Sequence, residues 1–142
     1  MKLLQKYIDL PEQPEDAVPG EYPLSDFRNA RFKLSPGVRE GPWVVKQAVG
    51  SKPTLLASKL TQRYFRGPGY METDVDIGSS VVASRIVGVC VGAAKALTID
   101  IGLTLEGRDE DELPERLIGV STVAKVDTTM SEPLYGSDRD EE

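Results

Sequence analysis

Glu72, Asp74 and Asp76 recur with a period of two. On an extended strand that spacing puts three carboxylates on one face, where a hard cation or acid–base chemistry would find its oxygens. Lys59 and Arg63 lie on the preceding apolar-alternating segment, and opposite-sign pairs across a hairpin are ordinary sheet decoration. Histidine is absent, which removes the commonest general base and metal ligand at neutral pH. The single Cys90 sits among small and branched apolar residues, where a thiol acts as a core hydrophobe. No nucleophile elbow, P-loop or dinucleotide glycine fingerprint is present, and Gly67-Pro68-Gly69 belongs to a hairpin turn. No catalytic residue, metal site or cofactor is therefore assigned, and a carboxylate-based enzyme is the last-ranked reading.

Binding is the better prospect. Gly78-Ser79-Ser80 stands where a helix begins, so its backbone N–H groups and the positive dipole end suit a phosphate or lipid headgroup, with plain capping as the ordinary alternative. Trp43 between Arg39 and Lys46 could seat at a lipid interface or anchor a short helix in the core. Ser84, Gly88, Gly92 and Ala96 recur every four residues, a small-residue stripe that leaves room for a close-packed strand or for an acyl chain in an apolar pocket.

The net charge of −6 conceals an asymmetry along the chain. Residues 28–66 hold nine basic side chains against Glu40 alone, whereas residues 127–142 hold six acids against Arg139. A basic half could meet anionic lipid, or the two signs could neutralise each other in the fold. Nucleic acid is not an expected partner. Arg85, Lys95 and Asp100 interrupt the most apolar window, so no membrane-spanning helix is expected. Gln5, Lys6 and Asp9 likewise break any signal-peptide core, which points to an intracellular, cytoplasmic chain with peripheral contact to membranes.

The elements that must position these residues form an α+β fold with a mainly antiparallel sheet. A hairpin over 58–77 and strands near 98–106 and 118–126 pack on a buried helix at 80–97, with short helices near 42–49 and 110–116. Pairing Phe65 with Tyr70 sets Arg63 opposite Glu72, Thr61 opposite Asp74 and Lys59 opposite Asp76, with Leu60, Gln62 and Tyr64 on the inner face. Residues 1–25 form a Pro-rich, poorly ordered leader, 26–126 the domain, and 127–142 an acidic disordered tail.

Five blocks in order carry a resemblance: 27–34 (FRNARFKL), 40–50 (EGPWVVKQAVG), 64–67 (YFRG), 74–80 (DVDIGSS) and 112–119 (ELPERLIG). Together they resemble the C-terminal domain family of plant Enhanced Disease Resistance proteins, and the chain is similar to the second half of that domain. The resemblance implies eukaryotic origin and a lipid-linked regulatory setting, because long plant members carry lipid-binding domains ahead of this one. It brings no catalytic residues. The leading expectation is a non-enzymatic lipid- or membrane-associated module with anionic lipid or an acyl chain as partner. The alternative is a protein-interaction module whose open sheet edge awaits the missing half of the domain or another protein.

Overall fold

The computed structural model describes residues 2–11 and 27–132. Within them the chain is α+β with mainly antiparallel strands. Helix α1 (Lys2–Asp9) brings Leu3, Leu4 and Tyr7 onto one face by helical spacing, and Tyr7 is buried. Strand β1 (Phe32–Glu40) leads to α2 (Trp43–Val49), which starts at Pro42, whose carbonyl accepts from Val45 and Lys46, and stops at Gly50 with φ +69. Strands β2 (Thr54–Leu55), β3 (Thr61–Gly67) and β4 (Tyr70–Asp76) follow, then helix α3 (Val81–Gly92), and finally β5 (Thr98–Leu105) and β6 (Leu117–Ala124).

The strands form two sheets rather than one. The larger has the order β2-β1-β5-β6, and β3-β4 stands apart as a two-stranded hairpin. Along β1 and β5, Phe32 faces Leu105, Leu34 faces Leu103, Pro36 faces Ile101 and Val38 faces Ile99, so one side of the sheet is apolar. Pro36 and Gly37, residue types that ordinarily end a strand, lie inside β1. Proline is tolerated there because β2 pairs only with Lys33 and Leu34, which leaves the far side of Pro36 without a ladder.

The hairpin register is shifted by two from the expected one. Gly67 pairs with Tyr70 across a tight Pro68-Gly69 turn, so Arg63 faces Asp74, Thr61 faces Asp76 and Phe65 faces Glu72. A shift of two keeps each side chain on its expected face, and Gln62 and Tyr64 are the buried pair. The cause lies at the turn. Gly69 has φ +81, as the second central position of a type II turn requires, and the ring of Tyr70 lies where a Cβ on Gly67 would stand.

Tyr7, Tyr64 and Leu105 form the core cluster, with Leu3, Leu4, Phe27, Phe32 and Met71 packed around it. Tyr7 stacks on Phe32 at 6.2 Å between centroids and meets Tyr64 edge-on at 6.3 Å. Helix α1 therefore joins the hairpin to the main sheet, and residues 2–9 are not the poorly ordered leader expected for 1–25. The Pro-rich residues 12–26 and the acidic tail from 133 lie outside the described residues.

Three other expectations are corrected. Helix α3 is not buried: it ends at Gly92, a 3₁₀ turn over Ala94–Ala96 follows, and none of its residues is buried. It contacts α2 and the Ile77–Ser79 turn, and its apolar residues run all round, so Val81, Val82, Val87 and Val91 are exposed. Trp43 is 74% exposed, while Val45 takes the buried place on α2. The helix expected at 110–116 is a 3₁₀ turn, Glu110–Glu112, because Pro114 holds the residue before it extended.

Replacing Tyr7 with alanine should cost about 3–5 kcal/mol, the usual penalty for truncating a buried aromatic ring, read as a lowered urea midpoint. Gly67→Ala should push the exposed Tyr70 ring aside and weaken the hairpin slightly, and adding Tyr70→Ala should remove that cost. A double-mutant cycle on denaturant midpoints checks the pair, and additivity would refute the clash.

Candidate functional site

Asp76 closes the turn that starts α3 by accepting from the Ser79 N–H at 3.2 Å. The Ser79 hydroxyl donates to the Asp76 carbonyl at 2.5 Å and accepts from the Thr61 N–H at 2.9 Å, tying the turn to the base of the hairpin. Ser80 caps α3 by accepting from Ala83 N–H at 3.4 Å, and Ser84 donates to the Ile77 carbonyl at 3.1 Å. The Asp76 carboxylate lies beside Gly78, where it would repel an anion. The Gly78-Ser79-Ser80 segment is thus a junction whose polar side chains are engaged, and among the described residues no hydrogen bond or ion pair links it to Arg39, Trp43 or Lys46. Arg39 is held elsewhere, donating to Asp100 at 2.5 Å, while Thr122 donates to the same carboxylate at 2.6 Å.

The small-residue stripe faces neither a packed strand nor an enclosed pocket. A Cβ added at Gly88 or Gly92 would meet nothing within 4 Å. Gly92 and Ala96 border only a shallow depression with Val91, Lys95 and Thr128. Cys90 is half-buried, and burial pushes its thiol up. Glu72, Asp74 and Asp76 are all exposed, and among the described residues no cluster of three or more His, Cys, Asp or Glu is placed to hold a metal ion. No helix of the described residues is long and apolar enough to cross a membrane.

Much of the basic stretch pairs inward. Arg31 donates to both Glu112 oxygens at 3.1 and 3.2 Å while its guanidinium lies 3.9 Å from the centre of the Phe27 ring. Lys33 reaches Glu115 at 2.8 Å and Glu106 at 3.2 Å, and Arg66 reaches Asp9 at 3.8 Å. Sequence reasoning did not find Glu112 or Glu115; the run of acids at 109–115 was the only signal, because 81 residues separate Glu112 from Arg31. Among the described residues, Lys46, Lys52, Lys59, Arg63 and Arg85 have no ion pair.

Large apolar side chains also remain exposed. On the touching helices α2 and α3, Trp43, Val44, Val81, Val82, Val87 and Val91 face outward, with Lys46 and Arg85 on the same two helices. At one edge of the main sheet, every residue of β6 is exposed. These two surfaces are the candidate functional sites, and neither was anticipated at these residues except for Trp43 and Lys46.

The backbone N–H of Arg108, at 2.9 Å, holds the Glu112 carboxyl below its ordinary range, and Arg31 adds to the effect against desolvation. A carboxylate lowered in the folded state contributes stability that is complete above its unfolded pKa and is lost as pH falls through the folded one. Glu112→Gln should therefore destabilise the chain at neutral pH, with the gap from the parent closing as pH falls through the lowered pKa. Urea unfolding across that range checks it, and a pH-independent gap would contradict it.

Residues 6–127 match the family described as Protein ENHANCED DISEASE RESISTANCE 2, C-terminal. Over 102 residues the chain is 45% identical to a "Protein ENHANCED DISEASE RESISTANCE 2-like" of Arabidopsis thaliana, an alignment covering 72% of this chain and 14% of that protein's length. No solved structure matches. With a family match over most of its length and this identity to a relative, the chain belongs to the ENHANCED DISEASE RESISTANCE 2 C-terminal domain family.

Proposed function

We propose that this chain is a non-enzymatic, lipid- or membrane-associated regulatory module that meets an anionic bilayer surface with the α2–α3 face. One observation carries the reading: Trp43 at 74%, Val81 at 67% and Val82 at 66% exposure stand on two helices in contact with each other. Chains that stay in water rarely leave so many large apolar groups exposed on two touching helices. Tryptophan favours the headgroup level of a bilayer, where its ring is half in hydrocarbon and its N–H is wet. Lys46 and Arg85 supply charge on the same helices, and each cation near an anionic leaflet contributes about 1 kcal/mol.

The surface, not a pocket, is the proposed contact. The stripe of Ser84, Gly88, Gly92 and Ala96 borders open space, so an acyl chain has no enclosed place there. Arg39, Gly78, Ser79 and Ser80 are held by intramolecular contacts and have no part in it. The proposed location is a cytoplasmic membrane face. A second reading, a protein-interaction module with an open sheet edge, is favoured by the full exposure of β6.

Co-sedimentation with vesicles of phosphatidylcholine alone or mixed with phosphatidylserine tests the first reading. Binding should rise with the anionic fraction. Val82→Asp should abolish it, and Lys46→Glu should weaken it about fivefold per unit of charge removed, the equivalent of about 1 kcal/mol. Both side chains are exposed, so circular dichroism should stay that of the parent. Indifference to lipid charge in the parent chain would remove the reading.

A further inference from the structure

Strand β6 pairs only with β5 among the described residues, and its outer edge is open. All eight residues from Leu117 to Ala124 are exposed, and none is charged or proline. Edge strands are ordinarily protected by lysine, proline or bulges, and β6 has only one register shift beside Leu103 and Thr104. Leu117 at 61%, Val120 at 56% and Ile118 at 43% exposure make it an apolar template for another strand.

We infer that the strand it takes is β6 of a second copy of this chain, paired antiparallel about a two-fold axis through Val120. The inference rests on the open-edge reading and names its occupant. Charge complementarity selects both the partner and the register. Glu115 and Lys125 stand equally far from Val120 on either side, so the two-fold axis sets Glu115 of each copy opposite Lys125 of the other. Between them Arg116 faces Ala124, Leu117 faces Val123, Ile118 faces Thr122 and Gly119 faces Ser121, so the one charge inside the flanking pairs stands opposite an alanine. Moving the axis one residue toward the C-terminus, the smallest step that keeps the faces in phase, puts Glu115 opposite Asp127, a like-charge pair. Moving it one residue the other way leaves Lys125 opposite Leu113 and unmatched. The uncharged strand alone would tolerate several registers; its flanks single out one.

The present partners of these flanking charges do not stand in the way. Lys125 reaches Glu40 at 3.1 Å, but both side chains are about 60% exposed, at 62% and 60%, and such surface pairs contribute little. Glu115 accepts from Lys33 at 2.8 Å and from the Gly107 N–H at 3.2 Å, and sharing its carboxylate leaves Lys33 with Glu106 at 3.2 Å. Lys125 has φ 50 just past the strand, and its long stem and that of Glu115 bridge the bend. The contact is isologous, so it closes as a dimer with one continuous sheet instead of growing into fibres.

Zero-length carbodiimide cross-linking of a mixture of light- and heavy-isotope chains, read by mass spectrometry, tests the pairing. The expected product joins Glu115 of one isotope to Lys125 of the other, and sedimentation velocity should show a dimer. Val120→Lys places two ammonium groups on the axis. Because Val120 is exposed, this variant should keep the parent's circular dichroism while becoming monomeric and losing the cross-link. A monomeric parent, or a dimer unmoved by Val120→Lys, would overturn the inference. Amide hydrogen exchange separates its failure from that of the open-edge reading. A monomer whose outer β6 amides exchange fast overturns only the second copy, and a monomer in which all β6 amides are protected overturns both.

Discussion

The buried guanidinium of Arg28 is the contact on which the two sheets depend. It is 2% exposed and faces the end of α1, donating to the carbonyls of Tyr7 at 3.0 Å, Leu10 at 2.6 Å, Pro11 at 3.3 Å and Ile8 at 3.4 Å. Those carbonyls lie at the negative end of a helix and just beyond it, where several lack an intrahelical partner. Their number offsets the desolvation of a cation that has no ion pair among the described residues. The rings of Tyr7 and Tyr64 lie 5.7 and 5.3 Å from its centre, so the same side chain that anchors the helix end also fills the space between helix and hairpin. Lysine could not replace it, because a single ammonium cannot reach acceptors spread over four residues. With α1 fixed, Tyr7 is held between Phe32 of the main sheet and Tyr64 of the hairpin.

Around that anchor, charge is used to fold the chain on itself. The acidic stretch after β5 returns over β1, where Glu112, Glu115 and Glu106 meet Arg31 and Lys33. Arg28 is buried, and Arg39 and Arg66 are paired. The basic half of the sequence is therefore a poor measure of the surface potential. Lys46 and Arg85 matter more than the total, because they sit unpaired among exposed apolar residues, where a bilayer surface would meet charge and hydrocarbon together.

Periodicity made the strands legible. Alternation placed β3, β4, β5 and β6, and it gave the correct inner face of the hairpin, since parity survives a shift of two residues. It did not give the pairing, which depends on how tightly the turn closes, and that is set by Gly69 taking the φ of +81 that a type II turn needs at its second central position. Arg28 was illegible for a different reason. Its acceptors are backbone carbonyls, which every residue has, so no residue type marks the partner. The candidate surfaces were concealed by the rule that an apolar helix belongs inside, which holds only where another layer lies over it. Trp43 and Lys46 could be picked out from residue type alone, whereas the exposure of Val81, Val82 and β6 could not.

That missing layer bears on both surfaces. Leu34, Pro36, Val38, Ile99, Ile101 and Leu103 line one side of the main sheet, yet all are only half-buried, and the core gathers at one end around Leu105. Helix α3 has the composition to cover such a face but lies against α2 and the hairpin junction instead, because Ser79 and Asp76 fix its first turn to the end of β4. A chain that buries six large apolar side chains among its described residues has little stability in reserve, since native folds are held by a small difference between large terms. Binding to the exposed face of α2–α3 or to the edge of β6 then stabilises the fold as it forms the contact, because any ligand of the native state alone shifts the equilibrium toward it.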